Sequence, residues 1–157
     1  MKKLLTFAAI IIAVSGMLMP RLDAHCQVPC GIFHDQLRFE AMLEDQSTIA
    51  KANVQIAELI KESTPLSTNQ ATRWIMTKED HCKNIISTVS EYFMAQRIKL
   101  GDDEEAYTKT LVAAHTLMQA AMKAKQDPSA EVAEAVKEAI FDLYRAYEGK
   151  EPDFHSH

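Results

Sequence analysis

Between His34 and Glu148 the only proline or glycine residues are Pro65, Gly101 and Pro128. Those breaks leave four long stretches in which apolar residues return at helical spacing, so the chain reads as four helices. The first runs from about Asp35 to Glu62, with Leu37, Met42, Leu43, Ile49, Ile56, Leu59 and Ile60 as its apolar positions. Ser63-Thr64-Pro65 ends it, because proline cannot continue a helix and biases its predecessor toward extended backbone. Ser67 with Gln70 offers a capping box for the second helix, whose stripe is Ile75, Cys82, Ile86, Val89 and Phe93. Gly101 is a natural stop, and Asp102 with Glu105 marks the next start. The third helix carries Tyr107, Leu111, Ala114, Met118 and Ala121 and ends near Gln126. Asp127 and Pro128 suit the cap and first position of a fourth, which carries Val132, Val136, Ile140, Leu143 and Tyr147 and stops at Gly149.

Short connections between long amphipathic helices predict an all-α fold, an antiparallel up-down-up-down four-helix bundle over residues 34–150. With 47% hydrophobic and 25% charged residues, the 157-residue chain can build one domain with a real core. The scarcity of turn residues and 7% aromatic content argue against an all-β fold. A net charge of −5 excludes a general nucleic-acid footprint. Residues 151–157 read as a flexible tail.

The first 24 residues read as a signal peptide. Lys2 and Lys3 form a positive start, Leu4 to Val14 an apolar run, and Ser15, Gly16 and Pro20 break it before Ala24. The run is too short for a membrane span, so cleavage after Ala24 would export the chain, to the periplasm or beyond, with no stable span left in it. The remaining residues 25–157 carry 14 basic and 21 acidic side chains, a formal charge of −7.

That cut creates a new N-terminus, His25-Cys26-Gln27-Val28-Pro29-Cys30-Gly31-Ile32-Phe33. It concentrates five potential ligand atoms: the α-amine, the His25 imidazole, the Cys26 amide nitrogen, and the thiolates of Cys26 and Cys30. Two thiolates with two nitrogens suit a tetragonal or square-planar ion, nickel or copper, whereas zinc prefers a tetrahedral set. Thiolate donation also stabilises a higher oxidation state, which suits electron transfer. The bland alternative is a small disulfide between Cys26 and Cys30, closing the loop of a helical interaction protein. Cys82 reads as a small buried hydrophobe, and His81 as facing outward or bonded locally.

The nine-residue segment resembles the nickel hook of the nickel superoxide dismutase family, H-C-x-x-P-C-G followed by a tyrosine two residues on. Arg38-Phe39-Glu40-Ala41 is similar to that family's Arg-Ile-Glu-Ala, Thr72-Arg73 to its Thr-Arg, and Glu91-Tyr92-Phe93 to its Asp-Tyr-Phe. The resemblance implies a four-helix-bundle subunit of a homohexamer that disproportionates superoxide by cycling nickel between Ni(II) and Ni(III). It implies His25, Cys26 and Cys30 as metal ligands and catalytic centre, with Glu40 and Arg73 orienting the His25 ring. Phe33 and Tyr92 would line the substrate pocket. Phe33 stands where the family has tyrosine, which removes a hydroxyl from that pocket, and Gln27 replaces a common aspartate. A non-catalytic nickel- or copper-binding helical protein, a metal carrier or sensor, is the second reading that this departure leaves open.

Overall fold

A computed structural model describes residues 34–154. They belong to the unit Gly31–His157; the unit Met1–Cys30 lies outside the described residues. Four helices, with no strand among the described residues, follow one another: α1 (Asp35–Glu62), α2 (Pro65–Ser87), α3 (Glu104–Gln126) and α4 (Ala130–Glu148). A π-helical segment, Thr88–Arg97, continues α2 without a break. Each helix packs on its sequence neighbours, and α1 closes the ring against α4.

Side-chain pairs give the directions. Asp35, at the start of α1, meets Arg97 at the end of the π segment that follows α2 and Tyr147 near the end of α4. Thr110, early in α3, meets the Ala146 carbonyl late in α4. Lys78 in α2 meets the Lys125 carbonyl at the end of α3. All four neighbouring pairs are therefore antiparallel, the bundle that the helical spacing predicts.

The core confirms part of each stripe and shifts the rest. Met42, Ile49 and Ile56 of α1 are buried, but Leu37 and Ile60 are 56% and 60% exposed. Phe39, Gln46, Ala52 and Asn53 take the inward positions instead. The nitrogen of each amide finds a partner there: Gln46 Nε2 donates to the Ala133 carbonyl at 2.9 Å and Asn53 Nδ2 to the Ser129 carbonyl at 2.8 Å, while Asn53 Oδ1 is buried without one. A buried polar group that is paired costs little, so a polar residue can occupy a core face that a hydrophobicity pattern misses. Cys82 on α2 and Val89 and Phe93 on the π segment are buried as expected, whereas Ile85 replaces Ile86 and Ile75 is 42% exposed. Buried Lys78 occupies that level, its Nζ donating to a terminal carbonyl of α3, where the helix dipole favours a cation. Leu117 and Ala124 join Ala114 and Ala121 inside α3, with Tyr107, Leu111 and Met118 only half-buried. On α4 Val132, Val136, Ile140 and Leu143 are all buried, with Tyr144 beside them.

The helix boundaries move by a few residues. Thr64, not Ser67, caps α2: its hydroxyl accepts from Ser67 N at 3.0 Å while Thr64 N donates to Ser67 Oγ at 2.9 Å. Pro65 thus opens α2 as well as closing α1, since a first-turn proline forfeits no helical hydrogen bond. Asp103 rather than Asp102 caps α3, accepting from Ala106 N at 2.9 Å. Asp127 does not cap α4; its carboxylate folds back on Ser129 N, and the helix starts at Ala130. Gly149 ends α4 with a positive φ of 69°, and Gly149 N donates to the Arg145 carbonyl. Beyond it the Phe154 ring lies against Phe141, Tyr144 and Phe39.

Candidate functional site

The ligand positions His25, Cys26 and Cys30, together with Phe33, lie outside the described residues. What the structure does describe is the place where that segment joins the bundle. His34 precedes α1, and Asp35 is its first residue. The Asp35 carboxylate gathers three side chains from two other elements. Arg97 Nε donates to Oδ1 at 3.0 Å and to Oδ2 at 3.2 Å, and Arg97 Nη2 donates to Oδ2 at 2.5 Å. Tyr92 Oη donates to Oδ1, and Tyr147 Oη donates to Oδ2 at 2.8 Å. The Arg38 guanidinium lies 5.1 Å from the centre of the Tyr92 ring.

The π segment explains how Tyr92 and Arg97 reach one carboxylate. Ile98 N donates to the Phe93 carbonyl at 2.8 Å, five residues back, which is the hydrogen-bond pattern of the wider helix. In an α-helix, residues five apart diverge around the axis by ~140° at 3.6 residues per turn. The wider turn reduces that divergence and brings both side chains onto the α1 side.

Electrostatics follow from this geometry. Burial alone would raise the Asp35 pKa, but hydrogen bonds from Arg97, Tyr92 and Tyr147, with the Arg97 charge, hold it below the usual carboxylate range. Burial and the adjacent carboxylate push the Tyr92 phenol up to about 12, and raise Tyr147 as well. The hydrogen bond to Asp35 raises Arg97 further above its ordinary range. Tyr92, buried and bonded to Asp35, therefore keeps its proton at neutral pH.

The other expected site residues are not brought together. Glu40 lies one turn into α1, half-buried, accepting from Gln36 Nε2 at 3.1 Å. Arg73 is exposed on α2. Cross-helix pairs Asp45–His81 and Lys51–Trp74 set the register, placing Glu40 near the level of Ile86. Thirteen residues of helix then separate it from Arg73, ~20 Å along the bundle at 1.5 Å per residue. His81, expected to face outward or bond locally, instead reaches Asp45 across the helix pair at 2.5 Å. Cys82 is fully buried, and burial pushes its thiol up to about 11. Among the described residues no cluster of three or more His, Cys, Asp or Glu side chains could hold a metal ion. No helix among them is long and apolar enough to cross a membrane.

Fold and sequence together describe a helical bundle preceded in the sequence by Cys26 and Cys30. The family model of nickel-containing superoxide dismutase matches residues 20–151, and the chain belongs to that family. No curated protein and no solved structure matches it.

Proposed function

We propose that this chain is an exported nickel superoxide dismutase, which converts two superoxide anions and two protons to dioxygen and hydrogen peroxide. The observation that carries the proposal is the family match over residues 20–151, which includes the whole of His25–Phe33. The donor set fits the metal: the thiolates of Cys26 and Cys30, with the His25 amine and imidazole and the Cys26 amide nitrogen, would hold a nickel ion, which takes mixed sulfur and nitrogen donors. When bound, nickel supplies the one-electron redox couple. Processing after Ala24 frees the His25 amine, and Cys26 and Cys30 supply the sulfur ligands. By family resemblance Glu40 and Arg73 would orient the His25 ring, as metal-bound imidazoles require; within one chain the two lie ~20 Å apart along the bundle.

Phe33, at the family's tyrosine position, would offer the pocket no hydroxyl. Tyr92 does not replace it as a proton donor, because its hydrogen is directed at Asp35. An incoming anion then meets fewer side-chain donors than the family's pattern provides. This departure favours, as second reading, a nickel- or copper-binding carrier or sensor without dismutase activity. A homohexamer is the assembly proposed by family resemblance.

Purified exported protein tests both readings through its N-terminal mass, its nickel content and its rate of superoxide loss. The first reading expects a chain beginning at His25, one nickel per chain and rapid dismutation. Nickel without activity favours the second reading. A chain beginning at His25 that takes up no nickel under reducing, nickel-replete conditions refutes both. Acetylation or extension of the N-terminus should abolish activity, and Phe33→Tyr should raise it if the missing hydroxyl matters.

A further inference from the structure

We propose that the seam between α1 and α4 carries a binding site for a phenylalanine-bearing peptide, and that its resident occupant is the chain's own C-terminal segment, Lys150–Phe154. The site lies apart from the expected metal ligands in sequence and does not depend on the functional reading above.

Three observations carry it. The first is the receiving surface. Phe39 of α1 and Phe141 and Tyr144 of α4 lie about the Phe154 ring, at centre-to-centre distances of 6.3, 6.0 and 4.9 Å. Phe141 stacks on Phe154 with 14° between the ring planes, and Tyr144 meets it edge-on at 71°. Stacked and edge-to-face contacts are the arrangements that the aromatic quadrupole favours, and one ring makes both here. The second is the pattern of the segment itself. Pro152 and Phe154 are half-buried while Glu151 and Asp153 are exposed, so alternate residues face the bundle, as in an extended strand. Pro152 fixes its own φ and biases Glu151 toward extended backbone, so less conformational freedom is lost on docking. The third is the polar edge. Arg145 Nε donates to Glu151 Oε2 at 2.9 Å, and Lys150 Nζ lies 5.8 Å from the centre of the Tyr144 ring.

An aromatic anchor, a preorganised backbone and charged contacts at the edge are how an apolar surface recognises a short peptide. The left-handed backbone at Gly149 turns the segment away from the helix axis. Only four residues separate Gly149 from Phe154, so the chain's own ring is held at high effective concentration beside the site. A peptide added from outside competes with it. The family match ends at residue 151, so Phe154 lies beyond the part of the chain that it covers.

The test uses the purified chain, wild type and Phe154→Ala, with a fluorescently labelled peptide of residues 150–154 as probe. A second peptide carries Phe154→Ala, and binding is read by fluorescence anisotropy. The Phe154→Ala chain should bind the first peptide at least ~10-fold more tightly than wild type does, because its own tail no longer competes. The second peptide should bind neither chain, and Phe141→Ala added to the Phe154→Ala chain should abolish binding with helicity retained. A wild-type measurement needs no variant to fold. Carboxypeptidase should release the terminal phenylalanine at least ~10-fold more slowly from the folded chain than from a free peptide of residues 150–157, since the segment must open first. A helical Phe154→Ala chain that binds the first peptide no better than wild type overturns the site, as does equal binding of the two peptides. Equal release of phenylalanine from the folded chain and the free peptide overturns the tail as its occupant.

Discussion

Tyr147 Oη donates a 2.8 Å hydrogen bond to Asp35 Oδ2, tying the last turn of the last helix to the first residue of the first. Arg97 and Tyr92 complete the contact from the π segment, so one carboxylate joins three elements at one end of the bundle. A bond between the two ends of a helical ring closes it where short loops cannot.

The acid limb of stability should therefore depend on Asp35. Its pKa is depressed in the folded state relative to an ordinary value of 3.8. Its contribution is complete above that value and is lost as pH falls through the lower folded one. Asp35→Asn should cost about 2–3 kcal/mol at neutral pH, the range for a hydrogen-bonded charged group. That corresponds to a melting temperature lower by roughly 5–10 °C for a domain of this size. Thermal melts from neutral to strongly acidic pH check the sign: the gap between wild type and variant should narrow below the ordinary carboxylate range. A gap that stays constant through the acid limb would mean that Asp35 is not ionised in the native bundle.

The alkaline limb should report Tyr92. Its phenol is raised from 10.0 to about 12, so its contribution is whole below pH 10 and is lost as pH rises through about 12. Tyrosinate absorbance followed alongside helicity should show this group ionising only as the bundle opens. Tyr92→Phe should remove one tyrosine's amplitude from that late step. Ionisation of Tyr92 near pH 10 in a still-helical protein contradicts the bond to Asp35.

Much of the bundle was legible because its signals are local. Pro65, Gly101, Pro128 and Gly149 divide the chain, and Val132, Val136, Ile140 and Leu143 repeat on one face. What was hidden depends on partners from elsewhere in the chain. Gln46 and Asn53 look like surface residues until the carbonyls of Ala133 and Ser129 are placed against them. Arg97 is five residues from Tyr92, a spacing that puts the two on different faces of any α-helix, so its link to Asp35 could not be read without the π turn. In the sequence Tyr147 reads only as a member of an apolar stripe, whereas its hydroxyl reaches Asp35 at the far end of the chain. The candidate site rests on other grounds. His25, Cys26 and Cys30 suggest a ligand set by residue type and spacing and lie outside the described residues, whereas Glu40 and Arg73 are joined by resemblance alone, and the structure sets them at different levels of the bundle.

The aromatic cluster around Phe39 should be the costliest place to truncate. Phe39 is fully buried, with its ring centre 4.8 Å from Phe93 and 5.0 Å from Tyr144, and it also meets Tyr147 and Phe154. Phe39→Ala removes those ring contacts and leaves a cavity between α1, α4 and the π segment, at a cost of about 3–5 kcal/mol. Denaturant titration should show the midpoint falling with little change in slope. A loss below about 1 kcal/mol would mean that the neighbouring rings close the gap.

Cys82 should behave unlike the two hook cysteines. It is fully buried on α2, and burial raises its thiol to about 11, so almost none of it is thiolate at neutral pH. Alkylation of the metal-free mature chain at neutral pH, followed by peptide mapping, should modify Cys26 and Cys30 while sparing Cys82 until denaturant is added. Cys82→Ser places a hydroxyl where a thiol packs without a strong partner, and should cost about 1–3 kcal/mol of stability. Nickel per chain should stay at the wild-type value, because the expected ligand set is complete without it. Loss of nickel from a folded Cys82→Ser protein would show that the third thiol takes part in the site after all.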